Sequence, residues 1–160
     1  MAKSVCTIVG RIAACIATLT AALIMVLSEE KVHLLGTTWE QKYTYWSGFR
    51  YFVIANLLSL GFSLVCLILP AKSGLWRLVV VLDVIMSLLM MAAITTAWTL
   101  LDLIKGGNPS AGWLPLSSNF PTFCNCVMGA LIPACIGLLI TLGFLAYSLQ
   151  LVINYLILEE

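Results

Sequence analysis

Residues 75–101 read LWRLVVVLDVIMSLLMMAAITTAWTLL, a run in which Arg77 and Asp83 are the only charges. The hydrocarbon core of a bilayer needs about 20 apolar residues in helical form, and this run is longer. Lipid cannot hydrogen-bond a bare backbone, so a crossing segment must satisfy its own N–H and C=O groups as a helix. Composition supports lipid as part of the solvent: 62% of residues are hydrophobic, 9% are charged, and mean hydropathy is +1.08. Soluble domains carry roughly 25% charge, so this chain lacks the polar surface to cover itself in water.

Three more runs of the same kind lie around the first. VCTIVGRIAACIATLTAALIMVL, about 5–27, ends before Glu29 and Glu30. A second run spans about 51–69 and stops at Pro70. The last is apolar from Phe123 to Leu158, with a span expected at about 123–149. Its excess length implies tilt, a kink at Pro133, or projection beyond the membrane past Gln150. The reading is an all-α protein: one domain over 1–160, a bundle of four transmembrane helices. An inner loop falls at about 70–74, with outer loops at about 28–50 and 102–122. Four crossings place both termini on one side. The first run is too long for a cleavable signal's apolar core of about 7–15 residues, and reads as the first span.

A net charge of +1 gives no footing for nucleic acid or for strong attraction to acidic lipid. The four spans leave no room for a soluble catalytic domain. Neither a nucleophile motif nor a phosphate-cradling glycine loop appears. Cys124 and Cys126 form CxC without the spacing of a redox CxxC, and no metal-ligand cluster accompanies them. His33 has no second ligand near it in sequence. No catalytic residue, metal or cofactor is therefore expected. Basic residues are too evenly shared between the two sides for charge counting to fix the orientation firmly.

Two charges lie within apolar spans, Arg11 and Asp83. Each costs about 2.5–3.5 kcal/mol at a helix centre, so each needs a partner or a path to water. Arg11 is eight residues past Lys3 and Asp83 six past Arg77. At 1.5 Å per residue they sit about 12 Å and about 9 Å into helices that run in the same direction. Similar depth in one leaflet makes a direct ion pair reasonable. Two alternatives stay open: Asp83 carries protons or cations with Arg11 tuning it, or Arg11 snorkels to the interface. Asn56, Ser59, Thr95, Thr96 and Asn154 are further polar residues of the spans, and hydroxyls and amides commonly join helices.

Small residues recur every fourth position at Gly10, Ala14, Thr18 and Ala22. Ala55, Ser59 and Ser63 do so in the second span, and Gly129, Pro133 and Gly137 in the fourth. Such stripes let helix backbones approach closely, within one chain or between copies. Trp39, Tyr43, Tyr45, Trp46, Phe49, Tyr51 and Phe52 crowd the first outer loop and the start of the second span. An interfacial aromatic belt accounts for most of them. They also form a surface that could be offered to lipid, wall material or a neighbouring copy.

Several fragments taken in order resemble the Casparian strip membrane domain (CASP)-like proteins of plants, relatives of the four-span MARVEL proteins. They are Arg11 within GRIAACIATLTAALIM, FRYFVIAN from Phe49 to Asn56, and Asp83 within VVVLDVIMSLLMMAA. The GGN turn at Gly106–Asn108 follows, then Trp113, Phe120 and the pair Phe123–Cys124 of the outer-loop motif. The resemblance implies a MARVEL-like bundle in the plasma membrane with cytoplasmic termini. It further implies a non-enzymatic scaffold that assembles with itself or other CASP-like proteins and organises lipids and secreted wall-modifying enzymes. One departure is clear. Ser117 stands where the family often has a second cysteine, four residues after the loop tryptophan, which leaves Cys124 without that disulfide partner. The first outer loop also lacks the extended signature of the strip-forming members.

Overall fold

The structure, a computed structural model, describes residues 2–34, 37–68, 76–108, 110, 112, 115, 117 and 119–158. For 2–7, 34, 76–77 and 151–158 it describes the backbone alone. The expected inner loop at 70–74 and Trp113 lie outside the described residues.

Four helices account for most of the chain: α1 (Ala2–Val26), α2 (Ser47–Ile68), α3 (Trp76–Gly106) and α4 (Pro121–Leu158). Each contains a segment long and apolar enough to cross a membrane, namely Ile8–Val26, Ser47–Ile68, Leu78–Gly106 and Pro121–Gln150. The architecture is the expected all-α four-helix bundle. At 38 residues, α4 would reach about 57 Å and overruns any bilayer. Helix continues on both sides of Pro133. Gly129, four residues earlier, is the position whose carbonyl a proline ring crowds.

α1 packs against α2 and α4, and α3 packs against the same two helices. α1 and α3 therefore oppose each other across the diagonal. The main apolar core fills only one half of the bundle. It joins Ala21 and Met25 of α1, Phe49, Phe52 and Val53 of α2, Met90 to Ile104 of α3, and Phe123 to Ala134 of α4. All of these lie toward the end where α1 and α3 finish and α2 and α4 begin. Toward the other end, where α1 and α3 begin, the buried side chains are smaller and many are polar: Ala14, Cys15, Thr18, Ser59, Ser63 and Ser148, beside Val79 and Val80. Outward-facing rows such as Ile8, Ile12, Ile16, Leu19 and Leu23 are exposed and apolar. Such surface is destabilising in water and appropriate in lipid.

The first connecting segment is more than a loop. Glu29–Leu34 (β1) and Thr37–Lys42 (β2) pair antiparallel, and a 3₁₀ turn at Tyr43–Tyr45 leads into α2. Side chains alternate between the two faces of the ribbon. Glu29 faces Lys42, Lys31 faces Glu40 and His33 faces Thr38; Glu30 faces Gln41 and Val32 faces Trp39. The first set is charged or polar throughout. In the second set Val32 packs against the main core.

Candidate functional site

Arg11 and Asp83 meet across the bundle diagonal. Arg11 Nη2 donates to Asp83 Oδ2 at 2.8 Å and Nη1 to Oδ1 at 3.4 Å. Both side chains are nearly enclosed, at 11% and 14% exposure. Fork-on-carboxylate contact is the strongest geometry available to this pair. The pair stands in the half of the bundle that the main apolar core does not reach, and it joins the two helices that share no face.

The remaining polar residues of the spans mostly bond within their own helices. Thr18 Oγ1 donates to the carbonyls of Ala14 and Cys15, and Ser87 Oγ to that of Asp83. Asn56 is fully buried, and its Nδ2 donates to the Phe52 carbonyl at 2.8 Å. Its Oδ1 has no hydrogen-bond partner among the described residues. The amide thus makes no hydrogen bond to another helix among the described residues, while the residue itself is wholly enclosed in the bundle.

Four of the small residues in the stripes, Gly10, Ala14, Gly129 and Gly137, divide. Gly10 touches α4, where a Cβ would overlap Phe144 Cζ. Gly137 lies against α1, with a Cβ 3.3 Å from Ala17 Cβ and 3.4 Å from Thr18 Cγ2. Ala14 is buried. Around Gly129 a Cβ would meet nothing within 4 Å.

At the opposite end, Glu30 Oε2 accepts the backbone N–H of Phe123 at 2.7 Å. That amide belongs to the first turn of α4, where N–H groups have no partner within the helix. α4 carries no acidic residue in that turn, so β1 supplies one from a distance. Behind it, Trp46, Phe49 and Phe123 form a chain of rings, with centroids 6.4 Å and 6.0 Å apart. Trp46 Nε1 also donates to Gln41 Oε1 at 3.4 Å. Phe120, Phe123 and Cys124 are all buried, so these residues of the outer-loop motif pack inward. Cys124 and Cys126 are both free thiols. Ser117, at the position of the missing cysteine, donates instead to the Lys105 carbonyl.

On the far face of the hairpin, Lys42 contacts Glu40 at 2.8 Å and Glu29 at 3.4 Å, and Lys31 contacts Glu40 at 3.3 Å. The Lys42 ammonium holds the Glu40 carboxyl below the usual carboxylate range, with help from Lys31. The same contacts, chiefly that with Glu40, push Lys42 up. Sequence reading missed both this ladder and the role of Glu30. Alternation in EEKVHL and TTWEQK was the available signal for the strands; nothing local in sequence joins Glu30 to a helix that starts 91 residues later. Among the described residues, no group of three or more His, Cys, Asp or Glu side chains gathers as a metal site.

Four membrane-spanning helices, a charge pair across their diagonal and a hairpin on one end define a small multi-pass membrane protein. The Casparian strip membrane protein domain matches residues 1–140. The chain belongs to that family. It is similar to CASP-like protein 1C1 of Arabidopsis thaliana, 38% identical over 160 residues, covering 100% of this chain and 98% of the relative. CASP-like protein 1C2 of Vitis vinifera is 39% identical over 152 residues, 93% of this chain and 94% of the relative. CASP-like protein 1C3 of Populus trichocarpa is 36% identical over 155 residues, 97% and 91%. No solved structure matches.

Proposed function

We propose that this chain is a non-enzymatic scaffold of the plasma membrane, with both termini in the cytoplasm and the hairpin outside. Copies of it, alone or with other CASP-like proteins, assemble into a membrane domain that recruits partners acting on the cell wall. The observation that carries this reading is the closed Arg11–Asp83 pair. A proton or cation pathway that runs through Asp83 needs its carboxylate free to take up the proton or ion. Here the one acid deep within the described spans is held by two contacts from a guanidinium that does not deprotonate. Activity is then sought on the outer surfaces: the apolar flanks and the folded hairpin.

Purified full-length chain in nanodiscs tests this directly. A scaffold gives high-order particles by single-particle imaging and slow lateral diffusion in cells. Freely diffusing monomers sink the idea. A channel or transporter built around Asp83 is the second reading, favoured by buried Asn56, whose Oδ1 has no hydrogen-bond partner among the described residues. It requires ion or proton flux in proteoliposomes that disappears in Asp83→Asn.

A further inference from the structure

The register of the hairpin places Trp39 on an unexpected face. Trp39 is directly opposite Val32, and paired residues of a ribbon project to the same side. That side is turned toward the bundle: Val32 packs on the core, and Glu30, two residues before it, reaches down to the Phe123 amide. Yet Trp39 is 61% exposed. It therefore projects from the helix side of the ribbon while the described residues leave most of its ring uncovered. The opposite face carries the Glu29–Lys42–Glu40–Lys31 ladder and the His33–Thr38 contact.

The ribbon also sits close to the membrane boundary. β1 begins three residues after α1 ends, and α2 starts two residues after the turn that follows β2. Leu27 and Tyr45, at these two junctions, are 75% and 62% exposed. An indole combines a large apolar body with one N–H donor, a chemistry that favours the boundary between headgroups and acyl chains.

We propose that the hairpin is a brim resting on the bilayer, with Trp39 seated from its underside at the headgroup–acyl boundary and the charged ladder facing water. What covers the ring is phospholipid. The arrangement fixes the rotation of the hairpin about its own axis, so the same polar face is always presented outward. It holds whether or not the chain forms a scaffold.

Tryptophan emission tests the placement in full-length chain reconstituted in phosphatidylcholine vesicles. The spectrum of Trp39→Phe is subtracted from that of the unaltered chain, so the other four tryptophans cancel. Circular dichroism verifies that the helices persist, and Trp39→Tyr provides a second subtraction. The expected difference component is blue-shifted, resists aqueous iodide, and is quenched at least twofold more by lipid brominated near the headgroup than near the chain end. A red-shifted component quenched by iodide places the ring in water and overturns the proposal. A blue-shifted component indifferent to both brominated lipids puts the ring against protein, such as a second copy, and overturns it equally.

Discussion

The carboxylate of Glu30 and the backbone N–H of Phe123 lie 93 residues apart in sequence and 2.7 Å apart in space. Pro121 opens α4 without needing an N–H partner, and the next orphan donors have no acid of their own helix nearby. A carboxylate there also meets the positive end of the helix dipole. Glu30→Ala is expected to cost about 1 kcal/mol, and Glu30→Gln, which keeps an acceptor, less than half of that. The Phe123 amide should exchange roughly fivefold faster in Glu30→Ala. Unchanged exchange there would remove the hairpin from any role in holding α4.

Arg11 and Asp83 should behave as a unit. Asp83→Ala strands a guanidinium in a nearly enclosed site, and breaking such a pair costs about 3 kcal/mol or more. Replacing both with apolar residues, as in Arg11→Met with Asp83→Leu, should recover most of that loss. The coupling is read from unfolding midpoints of the two single variants and the double variant in one detergent. Additive effects would mean that the pair does not join α1 to α3.

How much of this was legible in the sequence differs with the physics involved. Four helices followed from length and hydropathy, because lipid leaves the backbone no other choice. Arg11 and Asp83 could be compared because depth along a helix is a simple count of residues. Rotation about the helix axis is no such count. Asn56 turned its amide back to Phe52, and Gly129 faced open space while Gly137 met α1. The hairpin was hidden for another reason. Its strands are six residues each and carry five charges between them, so Glu29, Lys31, Glu40 and Lys42 read as solvated loop until cross-strand pairing gives each a partner. Phe120, Phe123 and Cys124 had looked like a loop motif because they border the spans; burial shows them as core.

The charged face of the hairpin should respond to pH at both extremes. Glu40 titrates below the ordinary carboxylate range, so its contribution is complete above that range and is lost as acid protonates it. Lys42 titrates above the ordinary lysine range, so its contribution is complete below that range and is lost in strong alkali. Hairpin amide protection, corrected for intrinsic exchange, should therefore be flat through neutral pH and fall on either side. Because these side chains meet at the surface, added salt should flatten the response. A transition centred near neutrality would point to some other group.

Gly10 and Gly129 invite opposite expectations for the same substitution. Gly10→Ala drives a methyl into the Phe144 ring, and overpacking of that kind costs about 1–3 kcal/mol, more than the helix-propensity gain recovers. Gly129→Ala meets nothing among the described residues and should stabilise the isolated bundle by about 0.5–1 kcal/mol. If the open face around Gly129 is where copies approach each other, that same methyl should weaken association while strengthening the monomer. Unfolding midpoints and particle size, measured on one preparation of each variant, separate the two effects. A rise in both stability and association would place the contact between copies elsewhere on the apolar flanks.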